Sequence, residues 1–383
     1  MLCAQAAYVD HVLEIVETEQ VDLVVVAGDV YDRALPPVDA VELADETFAR
    51  LAASRADVVV SSGNHDSPVR LGFNSRLADA AGVHLRTRWQ DVATPVLLED
   101  AHGPVAVYGI PYVEPDAVRS AWGLMTRSHE AALTEAMSRV HADLADRAGA
   151  RSVVLAHAFV AGSRDAAPRM ASDSERDISV GGIQIAPTSL FTGVDYAALG
   201  HLHGRQTLTE TVRYSGSPLA YSFSEASHTK GSWLVDLGRD GVESCDFVPA
   251  PVPRRLATVR GRIDELLAGP QHADLEDAWL QVVLTDPRRP RHAMERLAAR
   301  FPYTLMIGFE PEGVQRGRGP VMPRVDGRSD FDVALGFVAE VRDLEATTEE
   351  ALLLQMACDS CRINEERDAD FHVPRPMSAE DVG

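Results

Sequence analysis

The sequence lacks most of the features that would place a protein outside the cell or in a membrane. It has only four cysteines in 383 residues, too few for a disulfide-stapled secreted scaffold. It contains no run of about 18 apolar residues that could cross a membrane. Its first residues carry neither the basic nor the apolar region of a signal peptide. These absences predict a cytoplasmic protein without membrane contact.

Positive charge is also scarce. The chain has 36 lysine and arginine residues against 58 aspartate and glutamate residues, a formal net charge of −22. Proteins that bind nucleic acid unaided usually present a basic surface, because phosphate neutralisation supplies most of the non-specific affinity. Any polyanionic substrate is therefore expected to be held by metal ions, by a partner or by a local basic patch.

The composition itself is typical of a globular protein, with 45% hydrophobic and 25% charged residues. In the first two thirds, short apolar runs alternate with helical patterns, which predicts a layered α/β fold. The predicted strands are 21–27, 57–61, 105–108, 152–156 and 196–199, and the predicted helices are 3–19, 38–53 and 126–147. The run of branched residues at 21–27 is typical of a buried strand.

After residue 205 the pattern changes to short strands and turns, and the proline-rich stretch 248–253 marks a domain boundary. Beyond it we predict a small strand–helix–strand–helix–strand unit, a linker at 311–325 and helices at 330–344 and 348–358. The predicted domains are 1–250, 251–312 and 313–383.

Four short segments place oxygen and imidazole side chains directly after predicted strands. They are Gly28-Asp29, Gly63-Asn64-His65-Asp66, Ala156-His157 and Gly200-His201-Leu202-His203. Strand carboxyl ends form the ligand crevice of layered α/β folds, and glycine permits the tight turns that bring ligands together. Each residue alone is more often a turn, a cap or a satisfied polar group. Their conjunction favours a site for two divalent ions such as Mn²⁺, Fe²⁺ or Zn²⁺, which together can clamp a phosphate and activate water. The pattern predicts phosphoester hydrolysis.

These segments resemble the motifs of the calcineurin-like metallophosphoesterases. Four longer strings resemble more narrowly the SbcD family, the nuclease subunits of bacterial SbcCD complexes. The strings are 63–71, 181–183, 198–204 and 214–225. The resemblance extends through nearly the whole chain. It implies a metallophosphoesterase β-sandwich flanked by helices, a small α+β capping domain and C-terminal helices.

The resemblance also implies roles for individual residues. Asp29 would bridge two divalent cations, expected to be Mn²⁺. Asn64, His157 and His201 would complete the second cation site, and His203 would belong to the first.

Four further residues would act around the two cations. His65 would not ligate a metal but would contact the phosphate and assist the leaving group, as a catalytic residue. Arg70 is a candidate phosphate contact or a plain surface charge. Asp32 and Asp66 would support the ligands by hydrogen bonding.

The sequence departs from the family pattern in one respect. The family opens with a strand that ends in Asp-x-His, which completes the first cation site, and no such segment precedes Asp29. About thirty residues are missing by the family pattern. A start codon placed too late is the favoured explanation, and a truncated, inactive protein is the alternative. The printed chain is expected to be poorly active and less stable than a longer form.

By resemblance, the function is ATP-dependent 3′–5′ exonuclease action on double-stranded DNA and endonuclease action on single strands or hairpins, in recombination, replication and repair. The expected partners are DNA, the ATPase SbcC and a second nuclease subunit. SbcC would dock on the apolar face of the terminal helices, for which packing within the chain is the alternative.

Seven arginines in the capping unit could contact phosphate or form a solvated surface; they are Arg254, Arg255, Arg260, Arg262, Arg288, Arg289 and Arg291. Two other functions remain open: a phosphoesterase for small molecules, and a non-catalytic binding subunit.

Overall fold

The structure is a computed structural model that describes residues 2–162, 185–252, 254–312, 329–342 and 344–369. The string 181–183 and residues 313–325 of the predicted linker lie outside these ranges. The chain divides into two compact units, residues 1–312 and 313–383. The finer division of the first unit at residue 250 stays a prediction.

The elements of the first 250 residues follow the predicted alternation. In chain order the longer ones are α1 (Leu2–Thr18), β1 (Leu23–Ala27), α2 (Val38–Ala52), β2 (Asp57–Ser61), α3 (Pro68–Leu71), α4 (Ser75–Asp79), β3 (Val83–Arg86), β4 (Val96–Asp100), β5 (Gly103–Ile110), α5 (Pro115–Trp122), α6 (His129–Ala145), β6 (Arg151–His157), β9 (Tyr196–Gly200), β11 (Val212–Tyr214), β12 (Gly231–Gly238) and β13 (Gly241–Pro249). The two-residue strands are β7 (Val160–Ala161), β8 (Ala186–Pro187) and β10 (Gln206–Thr207).

Two sheets pack face to face. One has the order β1-β2-β3 and the other the order β10-β11-β9-β6-β5-β4. Successive side chains of a strand point to opposite faces, so Val59 of β2 joins Val107 and Leu155 of the second sheet in the core between the sheets. Val58 and Val60 point outward to a second core.

Helices cover the outer faces of both sheets. Leu13 of α1 and Phe48 of α2 pack on the outer face of the three-stranded sheet. Leu133 and Met137 of α6 pack on the outer face of the six-stranded sheet, beside Tyr108. The predicted metallophosphoesterase β-sandwich flanked by helices is therefore confirmed.

Strand β1 corrects one expectation. It was predicted to be buried, but all five of its residues are only partly buried, whereas four of the five residues of β2 are fully buried. Within the described residues β1 pairs with β2 alone, so its other edge has no strand neighbour to cover it. A continuous apolar run identifies a strand, but its neighbours decide how far it is buried.

The small unit after the proline-rich stretch has the predicted order. Its elements are β14 (Leu256–Gly261), α7 (Ile263–Ala268), β15 (Trp279–Leu284), α8 (Ala293–Ala298) and β16 (Thr304–Phe309). The three strands are parallel with β15 in the centre, and both helices pack on them through Ile263, Leu266 and Leu297.

The second unit contains helices α9 (Asp330–Arg342) and α10 (Thr348–Ala369), and Arg342 pairs with Glu350 at 2.6 Å. Phe331 of α9 and Leu352 of α10 line one apolar pocket, whereas Phe337 is 61% exposed. No helix in the described part of the chain is both long and apolar enough to span a bilayer.

Candidate metal centre

Four of the five predicted metal ligands meet at the carboxyl ends of four strands. Asp29 follows β1, Asn64 follows β2, His157 ends β6 and His201 follows β9. Nε2 of His157 lies 3.0 Å from Oδ1 of Asn64 and 3.3 Å from Oδ2 of Asp29. Nδ1 of His201 lies 3.1 Å from the same Asn64 oxygen. The structure therefore brings side chains that are far apart in sequence to one point.

The donor set fits a divalent cation. Nδ1 of His157 lies 2.8 Å from the carbonyl oxygen of Ala27, which can only accept, so Nδ1 carries the hydrogen. Nε2 faces the oxygens of Asn64 and Asp29, and when His157 is neutral it offers a lone pair there, so a cation can take the place of a hydrogen between the three atoms. Two ligand atoms at about 2.1 Å from one cation, at right angles, are about 3 Å apart. The observed spacings of 3.0 and 3.3 Å match such a coordination shell.

Two candidate ligands are held by backbone that ordinary residues seldom adopt. Asp29 has φ of 52° and His201 has φ of 104°. Conformations of this kind cost about 1–3 kcal/mol each and persist where the surroundings over-determine them, often at functional sites. This strain aims both side chains into the crevice.

Close backbone approach explains two of the glycines. A Cβ on Gly63 would lie 2.0 Å from Oδ1 of Asp29, and one on Gly200 would lie 1.7 Å from the carbonyl oxygen of Ala27. Neither distance is compatible with a side chain. The predicted need for glycine before these segments is therefore confirmed.

Asp66 ties the first two loops together. Its buried carboxylate accepts hydrogen bonds from the backbone N–H groups of Val30, Tyr31 and Gly63 at 2.9 to 3.1 Å. This agrees with the supporting role predicted for it. Asp32 differs, because its carboxylate is 85% exposed beside Arg33 and only its backbone carbonyl oxygen contacts the site.

Burial and neighbouring charges set the protonation of two ligands. Burial alone would raise the pKa of Asp29, but hydrogen bonding and charge attraction to His157, with the His65 N–H, bring it below its ordinary value. Burial, reinforced by the neighbouring His157, lowers the pKa of His201 to about 3. Asp29 is thus ionised and His201 neutral near pH 7, the states in which they bind a cation.

His65 and Arg70 stand beside the cluster. The backbone N–H of His65 donates to Oδ1 of Asp29 at 3.0 Å, and its Nδ1 lies 2.9 Å from the carbonyl oxygen of Asp32. That carbonyl can only accept, so Nδ1 carries a hydrogen and Nε2 stays free for another contact. Arg70 is exposed and donates to the carbonyl oxygen of Ala34 at 3.1 Å.

His203 is held by two residues whose roles were not predicted. Its Nδ1 lies 3.0 Å from Oε1 of Glu225, and Oε2 of Glu225 accepts from Nζ of Lys230 at 2.7 Å. Burial would raise the pKa of Glu225, but hydrogen bonds from His203 and Lys230 lower it to about 2. The string 214–225 contained the glutamate, and Lys230 is the only lysine in the sequence, but neither fact indicated this contact.

The sequence also did not predict the contacts of two tyrosines. The hydroxyl of Tyr214 donates to the carbonyl oxygen of Ala158 at 2.7 Å and accepts from the N–H of Val160 at 2.8 Å, which fixes the chain after His157. The ring of Tyr112 is stacked on that of His201, with centroids 6.4 Å apart. Position along the sequence gave no signal for either contact.

Within the described residues, no three His, Cys, Asp or Glu side chains form a metal-binding group by themselves. The cluster depends on the amide of Asn64, which contacts both His157 and His201. The roles of the individual residues stay predictions.

Comparison with protein families gives two matches that cover different parts of the chain. The model of the calcineurin-like phosphoesterases matches residues 3–205, which is more than half of the chain and includes every candidate ligand. The model SbcD_C, described as the type 5 capsule protein repressor C-terminal domain, matches residues 252–342.

Among solved structures, the chain is similar to a family 1 β-glucosidase from Thermotoga maritima in complex with isofagomine lactam. The identity is 10%, over 78% of this chain and 76% of that chain, and the TM-score is 0.19. A score this low carries no argument about fold or function.

Proposed function

Because this chain belongs to the calcineurin-like phosphoesterase family, we propose that it is the DNA-cleaving subunit of an SbcCD-type complex. Hydrolysis of phosphoesters with divalent metal follows from the family. In this chain the metal-dependent chemistry rests on one observation, the convergence of Asp29, Asn64, His157 and His201 with ligand spacings of 3.0 to 3.3 Å. The SbcD_C match over residues 252–342 selects the SbcD type within the family.

In this proposal Asp29 would be shared by two cations, Mn²⁺ in the cell, and His203 would serve the first. Asn64, His157 and His201 serve the second. When bound, such a pair of cations polarises a phosphate and lowers the pKa of an attacking water molecule. Asp66 keeps the loops of Asp29 and Asn64 in register through its three backbone hydrogen bonds.

His65 is proposed to donate a proton to the leaving oxygen. Its Nδ1 donates to the carbonyl oxygen of Asp32, which fixes the ring and leaves Nε2 facing away from that contact. A protonated Nε2 can donate to the 3′ oxygen as it leaves the phosphorus. Arg70, which is exposed in the short helix α3, is proposed as a contact for a neighbouring phosphate of the DNA.

The substrate is proposed to be DNA, cleaved from 3′ to 5′ on double strands and internally on single strands or hairpins, with ATP used by the SbcC partner. The acidic chain suits such an assembly, because a net charge of −22 disfavours unaided DNA binding. The small unit is proposed to help position DNA over the site, and helices α9 and α10 to dock SbcC. A second nuclease subunit would complete the assembly.

The test is cleavage of a labelled hairpin DNA with Mn²⁺ and SbcC, run with the printed chain and with a form extended by the residues encoded upstream of Met1. We expect His157→Ala to abolish cleavage in whichever form is active. We expect His65→Gln to lower the turnover number by about 100-fold or more while Mn²⁺ binding is kept. Asp32→Asn, whose carboxylate is exposed, is the matched control.

The outcomes separate the competing functions. Cleavage of small phosphoesters without cleavage of DNA would assign the chain to the small-molecule enzymes. Binding of SbcC without any hydrolysis by either form would assign it to non-catalytic subunits.

A further inference from the structure

A buried polar cluster of Glu225, Lys230 and Ser217 lies against His203. Oε1 of Glu225 is 3.0 Å from Nδ1 of His203, and Glu225 itself is fully buried. A carboxylate can only accept, so Nδ1 of His203 carries the hydrogen. When His203 is neutral, its lone pair is therefore on Nε2, the other ring nitrogen.

The only lysine of the chain holds this glutamate. Lys230 is 5% exposed, and its Nζ donates to Oε2 of Glu225 at 2.7 Å, to Oγ of Ser217 at 2.8 Å and to the carbonyl oxygen of His203 at 2.7 Å. An ammonium group has three hydrogens, so all three are engaged. The lysine thus fixes the backbone of His203 and the carboxylate that orients its ring.

The free-energy cost of burying the Glu225–Lys230 ion pair favours a functional role for it. Burying a charged pair costs several kcal/mol before mutual attraction repays it, and an apolar pair of similar size is often at least as stable. Elsewhere the chain uses arginine for its positive charges, since Lys230 is its single lysine. A compact ammonium with three donors suits a junction of three acceptors better than a planar guanidinium does.

We propose that Glu225, held by Lys230, is a positioning residue that fixes His203 as an Nε2 ligand for a divalent cation. This proposal rests on the proposed function, because it takes His203 to be a ligand. Histidines that bind metals commonly donate their other ring nitrogen to a carboxylate, which fixes the tautomer and raises basicity. Loss of such a partner typically lowers metal affinity by about 10- to 100-fold.

The single lysine provides a local probe. Selective ¹³C labelling of lysine gives one side-chain signal for the full chain, and Mn²⁺ bound by His203 broadens it through paramagnetic relaxation. We expect broadening in the wild-type protein, and a requirement for about 10- to 100-fold more Mn²⁺ in Glu225→Gln. The exposed Glu243→Gln is the matched control and should titrate as the wild type does.

A second variant helps to distinguish weaker Mn²⁺ binding from loss of folding. Glu225→Asp keeps a negative charge near Lys230 but shortens the reach to His203, and it should also weaken Mn²⁺ binding. Circular dichroism and the melting temperature identify folded variants, and ¹⁵N spectra of histidine report whether the His203 hydrogen has left Nδ1. Folded Glu225 variants that bind Mn²⁺ as the control does would overturn the proposal, and so would an unbroadened lysine signal in the wild type.

DNA plays no part in this titration. Mn²⁺ binding that depends on Glu225, in a protein that cleaves no DNA with SbcC, would leave this inference standing and refute the proposed nuclease.

Discussion

The loops of the metal centre and the small unit at residues 254–312 both carry many charges, but they use them in opposite ways. In the metal centre, ionisable side chains are buried or half-buried and each contacts more than one segment: His157 contacts Asp29 and Asn64, and Asp66 accepts from the backbone of two loops. In the small unit, four arginines pair one by one with carboxylates, and all of these but the half-buried Arg254 are exposed. These pairs are Arg254–Asp277, Arg255–Asp274, Arg260–Glu310 and Arg262–Glu312.

The contrast shows why a count of charges does not identify a phosphate-binding surface. Four of the seven arginines that make the small unit look basic are neutralised by acids within it. Arg288, Arg289 and Arg291 lie together in an exposed loop, and within the described residues they have no ion pair. If this unit contacts DNA, these three are the available positive charges.

The largest expected effect is the loss of Asp66. Asp66→Ala leaves the buried N–H group of Gly63 and the partly buried N–H groups of Val30 and Tyr31 without their acceptor, and a buried unpaired donor costs about 1–3 kcal/mol. We expect the free energy of unfolding to fall by about 3–5 kcal/mol, measured by urea denaturation. The control is Asp32→Ala, because the carboxylate of Asp32 is exposed. Equal losses of unfolding free energy in the two variants would show that a buried carboxylate contributes no more than an exposed one.

Acid should remove the contribution of Glu225. Its folded-state pKa is about 2, below the ordinary value of 4.5, so ionised Glu225 stabilises the chain above pH 4.5, and this is lost as the pH falls towards 2. In chelator, we expect the unfolding free-energy difference between wild type and Glu225→Gln to shrink by about 3 kcal/mol across that range. The prediction would be wrong if this free-energy difference did not change with pH, or if the difference between wild type and Glu243→Gln changed by the same amount.

A single methyl group should disturb the metal centre. Gly63→Ala would place a Cβ 2.0 Å from Oδ1 of Asp29, so the loop must shift. We expect a loss of about 2 kcal/mol in stability and weaker Mn²⁺ binding by calorimetry. Gly162→Ala, with no atom of the described residues within 4 Å of the added Cβ, is the control. Unchanged Mn²⁺ affinity in Gly63→Ala would show that Asp29 tolerates displacement.

The arginine loop offers a smaller, functional test. Replacing Arg288, Arg289 and Arg291 together by glutamine should weaken DNA binding by about tenfold at low salt. The slope of log affinity against log salt should fall by about 1 for each arginine that contacts a phosphate. Replacing Arg260 and Arg262, which pair with carboxylates, by glutamine should weaken DNA binding less. Equal losses from both variants would show that pairing with carboxylates does not decide the contact.

The smallest expected effect is on the surface pairs themselves. Arg262→Ala removes one exposed pair with Glu312 and should leave the urea midpoint of unfolding almost unchanged, with a still smaller difference from the wild type in 1 M salt, because solvent and salt screen exposed charges. A loss as large as that of Asp66→Ala would abolish the contrast between the two regions.

Local patterns were enough to predict the strands and the loop residues after them. Apolar runs followed by glycine and a polar residue placed Asp29, Asn64 and His201 at strand ends, and parallel strands bring such ends together. Strand β4 was missed because only Val96 of its five residues is buried, which leaves no alternation to read. Helix α10 extends to Ala369 along a polar stretch that has no apolar periodicity.

Contacts between distant loops were beyond a reading of the sequence. Glu225 lies 22 residues from His203, and nothing in the residues between them specifies that the two meet. The partial burial of β1 depends in the same way on what lies beside it in the sheet.

The burial of Lys230 has a practical consequence for work on this protein. Lys230 is 5% exposed and its ammonium group donates to three acceptors, so reagents that attack primary amines will not reach this side chain in the folded protein. Amine-reactive cross-linkers and dyes should therefore leave Lys230 unmodified under native conditions. Modification of Lys230 on warming will report that the pocket around it has opened.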